Sequence, residues 1–112
     1  MRFAWILLVF VLAACQSADV SRAIGARCDL SSECDERCLG PDGDWPGGFC
    51  TLTCDTNEKC GDDGVCIQEQ NSGVCALRCG TDPDCAFLGA GYTCKMIDGH
   101  TGGLKVKACR GG

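Results

Sequence analysis

Apolar residues are spread very unevenly along this chain. Phe3 to Leu12 is an unbroken apolar run behind Met1 and Arg2, whereas from Gln16 onward large apolar side chains come singly or in short runs. Val65-Cys66-Ile67 and Val74-Cys75-Ala76-Leu77 flank Asn71-Ser72-Gly73. Tyr92-Thr93-Cys94-Lys95-Met96-Ile97 and Leu104-Lys105-Val106-Lys107-Ala108-Cys109 flank a turn signal at Asp98-Gly99. β-prone runs on either side of such turn formers predict hairpins. Polar stretches of another kind lie upstream: Ser31-Ser32-Glu33, Thr56-Asn57-Glu58 and Thr81-Asp82-Pro83-Asp84. A hydroxyl or Asx side chain ahead of an acid, with Pro83 near a first helical position, predicts a capped single turn of α- or 3-10 helix. The acids there are expected to be structural.

The pattern repeats. Gly48-Phe49-Cys50-Thr51-Leu52-Thr53-Cys54 recurs 25 residues later as Gly73-Val74-Cys75-Ala76-Leu77-Arg78-Cys79. In each copy one cysteine closes the unit behind it and the next opens the unit ahead. Cutting at these joints leaves three units, residues 28–53, 54–78 and 79–112, with four cysteines each. Five residues separate the first two cysteines in every unit; later spacings drift, with three, five and eight residues between second and third and eleven, eight and fourteen between third and fourth. A fixed loop beside variable ones is the mark of an internal repeat with insertions at loop tips. The expected fold is therefore small and disulfide-rich: three tandem four-cysteine units, each a capped turn plus a short β-hairpin, with little regular secondary structure.

Twelve cysteines allow on the order of ten thousand pairings, but sealed four-cysteine units allow only three each. If the third and fourth cysteines sit on paired strands, each ties its own strand back to the capped turn. That expectation pairs Cys28 with Cys38, Cys34 with Cys50, Cys54 with Cys66, Cys60 with Cys75, Cys79 with Cys94, and Cys85 with Cys109.

Composition explains why staples are needed. Only eighteen large apolar side chains occur in the ninety-seven residues from Gln16 onward, too few to offset roughly 1–2 kcal/mol of backbone entropy per ordered residue. Thirteen cysteines in 112 residues are the composition of a disulfide scaffold from an oxidising compartment. With Arg2 removed, nine Lys and Arg stand against fifteen Asp and Glu. So acidic a chain lacks the basic face that nucleic acid or anionic headgroups require.

Met1-Arg2, the apolar run and Leu12-Ala13-Ala14-Cys15 have the n-, h- and c-regions of a signal peptide, residues 1–14, too short to span a membrane as a helix. Leu12-Ala13-Ala14-Cys15 resembles the bacterial lipoprotein box. The resemblance implies that the Cys15 thiol takes a diacylglyceryl thioether and becomes the first residue of the mature chain. It also implies outer-membrane sorting, since Gln16 is not the Asp typical of inner-membrane retention. Setting Cys15 apart leaves an even twelve cysteines for bridges. Residues 15–27 then form the lipidated cysteine and a small, polar tether, and membrane contact is through the anchor only. Cleavage by an ordinary signal peptidase would instead give a freely secreted inhibitor or toxin.

In Ile24-Gly25-Ala26-Arg27-Cys28, Gly47-Gly48-Phe49-Cys50-Thr51-Leu52-Thr53-Cys54 and Gly91-Tyr92-Thr93-Cys94, the chain resembles cysteine-rich lipoproteins of myxobacteria and related predatory bacteria. The opening at Cys54, Cys60 and Cys66 is also similar in spacing to the amino-terminal cysteine-rich region of dickkopf proteins. Neither resemblance carries a functional residue other than Cys15.

Candidate chemistry is sparse. No Cys-x2-Cys occurs, which speaks against a zinc or redox site, and no cofactor is expected. His100, the single histidine, reads as a solvated turn residue, and Glu33, Asp35, Glu36, Asp62 and Asp63 lie in loops where nothing apolar would raise a carboxyl pKa. No catalysis is expected. Asp55, Asn57, Asp62 and Asp63 form an oxygen-rich group that suggests a calcium-binding surface module as a further alternative. Trp45 lies in a loop of turn formers between Cys38 and Cys50. If exposed, it would anchor a protein or glycan partner. These features point to a non-catalytic, lipid-anchored cell-envelope module with a binding or structural role.

Overall fold

The computed structural model describes residues 20–112; the apolar run, Cys15 and the start of the tether lie outside them. Among the described residues, seven short strands are interspersed with three 3-10 turns. The first unit holds a turn at Ser31–Glu33, then β1 (Arg37–Leu39) and β2 (Phe49–Thr51). The second opens with β3 (Thr53–Cys54), a turn at Asn57–Cys60, and the hairpin of β4 (Gly64–Glu69) and β5 (Ser72–Leu77). The third has a longer turn at Asp82–Leu88, then β6 (Thr93–Asp98) and β7 (Lys105–Arg110).

Each unit is one plan. Its third and fourth cysteines face one another across an antiparallel pair, Cys38 opposite Cys50, Cys66 opposite Cys75 and Cys94 opposite Cys109. Neither bonds the other. The third ties back to the unit's first cysteine and the fourth to its second, giving Cys28–Cys38, Cys34–Cys50, Cys54–Cys66, Cys60–Cys75, Cys79–Cys94 and Cys85–Cys109. The segment leading into each unit runs beside that unit's last strand. Cys50 donates its N–H to the Ala26 carbonyl at 2.8 Å, Thr53 pairs with Val74, and Arg78 bridges to Ala108. The joints are therefore strand positions.

Two turns differ from expectation. β4 and β5 turn over Gln70 and Asn71, with Glu69 opposite Ser72 and Gln70 at φ 52°, so Ser72 and Gly73 belong to the strand. Gly73 is there because β3 crosses closely; a Cβ on it would overlap the Cys54 carbonyl and the Cys66 sulfur. In the third unit Asp98 and Gly99 do not form a tight turn. Asp98 pairs with Lys105, and a six-residue loop, Gly99 to Leu104, closes the hairpin with Gly99 N–H on the Leu104 carbonyl at 2.7 Å.

The units are sealed separately but do not pack separately. Leu39, Trp45 and Phe49 from the first, Val65, Ile67, Val74, Ala76 and Leu77 from the second, and Leu88, Tyr92, Ile97 and Ala108 from the third form one buried cluster. The Trp45 and Phe49 rings lie 4.9 Å apart and the Phe49 and Tyr92 rings 6.4 Å apart, both tilted, within the range of favourable aromatic contact. Polar bonds reinforce it. The buried Thr51 hydroxyl donates to the Cys75 carbonyl at 2.7 Å, and Gly111 donates its N–H to Asp44 at 2.8 Å, returning the end of the chain to the first unit.

Candidate functional site

Trp45 is 1% exposed and Phe49 fully buried, so the condition set for an anchoring role, an exposed indole, is not met. The indole belongs to the buried cluster that Phe49, Tyr92 and residues of the second unit share. Tyr92 is buried with it, and burial pushes its hydroxyl pKa up to about 12, so the ring stays neutral at any physiological pH.

Part of the oxygen-rich group of the second unit is engaged within the fold. Asn57 Oδ1 accepts the Cys66 N–H at 2.9 Å, and the Asp55 carbonyl accepts the Thr101 hydroxyl at 3.0 Å. Asp62 and Asp63 line a shallow depression that also contains Arg78, a cation already among the acids. Among the described residues, the groups of three or more His, Cys, Asp or Glu ligand atoms within 4.8 Å are cysteine trios, and every sulfur in them belongs to a bridge. Asp55, Asp62 and Asp63 form no such group, and the bridged sulfurs offer no thiolate to a metal.

Asn57 is one instance of a device present in all three units. Ser31, Asn57 and Asp82 each stand three residues after their unit's first cysteine. Each accepts the backbone N–H of the third cysteine through a side-chain oxygen: Ser31 from Cys38 at 3.1 Å, Asn57 from Cys66 at 2.9 Å and Asp82 from Cys94 at 2.9 Å. This clips the 3-10 turn to the edge of the hairpin. The type of residue varies because any short side chain with an acceptor will serve. Asn57→Ala leaves the Cys66 N–H without its partner and is expected to cost about 1–3 kcal/mol, whereas Asn57→Asp retains the acceptor. Urea unfolding of the oxidised variants checks this ordering.

The acids ahead of the second cysteine hold the turn from its other end. Glu33 Oε1 accepts the N–H groups of Asp29 and Leu30 at 2.7 and 3.1 Å, and Asp84 Oδ2 accepts those of Gly80 and Thr81 at 2.8 and 3.0 Å. The carboxylates cap these turns, and the cap-position hydroxyls of Thr56 and Thr81 make no capping bond. In the second unit Lys59 stands in this place and donates instead to the Thr53 carbonyl at 3.0 Å. The backbone bonds lower the pKa of both Glu33 and Asp84. A carboxyl depressed on folding stabilises the fold above its ordinary pKa, and that contribution is lost as pH falls through the depressed value. The oxidised protein is thus expected to lose thermal stability on acidification below the ordinary carboxylate range, and Glu33→Gln with Asp84→Asn should flatten that slope. A melting series from neutral to strongly acid pH measures it.

Other acids are structural as well. Asp35 lies 3.7 Å from the Arg22 guanidinium, and Glu36 accepts the Thr53 N–H. His100 differs from expectation: it is half-buried, with Nδ1 2.7 Å from Gln68 Oε1 and its N–H on the Cys66 carbonyl at 3.0 Å. It docks the third unit's loop on the second unit. The sequence hid this because the contact joins residues 32 positions apart.

A cleft of about 340 Å³ lies between the β1 edge and the tip of the β4–β5 hairpin, and another of about 320 Å³ is lined by Asn57, Glu58, Gly61, Asp62 and Arg78. The first is bordered by Arg37, Gly40, Asp42 and Glu69 to Ser72, with Trp45 contributing to its wall. Sequence reasoning found Trp45 but missed this groove, which depends on how two units abut.

Fold and surface together define a small disulfide-rich protein of three repeated units around one core, of the kind found outside the cell or in exported compartments. Comparison with protein-family models, curated proteins and solved structures returns no match.

Proposed function

We propose that this chain is a non-catalytic, lipid-anchored module of the bacterial cell envelope, presenting a disulfide-hardened body for binding or for a structural role. One observation carries the reading: the bridges engage twelve of the thirteen cysteines. The cysteine left over is Cys15, placed directly after an apolar run and Leu12-Ala13-Ala14. Among the described residues no helix is long and apolar enough to cross a membrane; in this reading attachment is through the thioether. At about 0.8 kcal/mol per buried methylene, several acyl chains make release negligible.

The non-catalytic part rests on the chemistry of the body. Its cysteines are all in bridges, its histidine is engaged in a loop contact, and Glu33 and Asp84 are shifted away from the range of a general acid.

Cys15→Ser tests the anchor. The wild-type chain is expected to incorporate labelled fatty acid and partition into detergent, and the variant to accumulate as an unprocessed, unlabelled precursor. A variant processed and released at normal size would favour the freely secreted inhibitor or toxin.

A further inference from the structure

The repeat shows which hairpin edge should be occupied and where it is not. In the second unit both backbone groups of Cys66 point away from β5. Its N–H goes to Asn57 and its carbonyl accepts the His100 N–H at 3.0 Å. The loop after β6 thus closes the β4 edge, with Gly99 also bridged to Ile67. Cys38 holds the same place in the first unit. Its N–H goes to Ser31. Cys50 opposite directs both its backbone groups to Gly25 and Ala26, so the Cys38 carbonyl faces away from β2 as that of Cys66 faces away from β5.

The following unit's loop does not reach this edge. Only Gln70 and Asn71 join β4 to β5, whereas Gly99 to Leu104 join β6 to β7. Among the described residues no hydrogen bond reaches the Cys38 carbonyl. The space where a longer loop would lie is the 340 Å³ cleft between Arg37–Gly40 and Glu69–Ser72. Its charges are unequally engaged. Asp42 Oδ1 accepts the N–H groups of Asp44 and Trp45 at 2.9 and 3.0 Å, and Glu69 lies 3.9 Å from Arg110. Arg37 makes no ion pair among the described residues and is the cleft's uncommitted charge.

We infer that the cleft receives a loop of a partner protein in the way the second unit receives residues 99–104: a backbone N–H of the partner donates to the Cys38 carbonyl and a carboxylate beside it meets Arg37. An unpaired strand edge is a ready template for another backbone, and the chain itself shows this docking one unit further on. The inference rests on the reading of the protein as a displayed binding module and supplies its class of partner.

The probe is a backbone-cyclised peptide of residues 97–106, which carries Asp98 and the Gly99–Leu104 loop, titrated into the oxidised, ¹⁵N-labelled full chain in detergent micelles. Saturable amide shifts at Arg37 to Gly40 and at Gln70 and Asn71 are expected at roughly millimolar peptide. Arg37→Glu should weaken binding about tenfold. Replacing Gln70-Asn71 with the Gly99–Leu104 sequence should fill the cleft from within and abolish binding. An unchanged spectrum, or shifts that persist in the loop-replaced variant, would overturn the inference. So would shifts of the same amides on concentrating the chain without peptide, which would make a second copy the occupant, or on deleting residues 16–19, which would make it the tether. The titration does not read acylation of Cys15, so the cleft and the anchor fail separately.

Discussion

Complete reduction of the six bridges is expected to unfold the protein at 25 °C. The bridges close loops with sequence separations from 10 to 24, and each such loop contributes roughly 2–4 kcal/mol by restricting the unfolded chain. Six at the lower bound already match the whole net stability of a typical domain, about 5–15 kcal/mol. The shared apolar cluster does not replace them, because its larger members number about a dozen side chains and must order a chain with little regular structure. Amide dispersion in excess reductant measures the outcome; a native-like spectrum would show that the core holds by itself. Among single bridges, loss of Cys85–Cys109, with the largest separation, should cost most.

Trp45→Ala is expected to destabilise the oxidised protein by about 3–5 kcal/mol, the range for removing a large aromatic from a packed core. The indole touches Phe49 and belongs to a cluster drawn from all three units, so the cavity is felt in each of them. Urea unfolding should show one transition moving to lower denaturant, with Trp45→Phe costing less. A change confined to amides of the first unit would mean that the units are energetically independent. In a chain made without residues 1–14, Trp45 is the single tryptophan, and its emission should be blue-shifted and poorly quenched by acrylamide.

Much of the covalent plan is legible in the cysteine spacing. A constant five-residue interval marks the turn, and the joints mark where one unit hands over to the next. The noncovalent plan is not legible, because a repeat of 25 residues reads as beads on a string. Trp45 looks locally like an isolated apolar residue among turn formers, and Val65 and Tyr92 like the starts of separate hairpin strands; only the abutment of units brings them into one cluster. Gly73 illustrates the same limit. Beside Asn71 and Ser72 it signals a turn, but what requires a glycine there is the close approach of β3, which is distant in sequence. The docking of His100 and the cleft beside β1 follow from loop lengths. The spacings record those lengths without saying what the loops reach.

The arrangement of bridges also decides what a protease could do to the folded protein. Any single nick between Cys28 and Cys50, Cys54 and Cys75, or Cys79 and Cys109 lies within a bridged loop, so both new ends stay covalently attached. Only scission within the joints could divide the body, and there Thr51, Ala76 and Leu77 are buried, while the exposed Thr53 and Arg78 are held in strand pairing with Val74 and Ala108. The accessible backbone outside every loop includes Val20, Ser21 and Arg22, which are exposed. Cleavage at that point would shed the cysteine-bridged body from its amino-terminal segment in one piece.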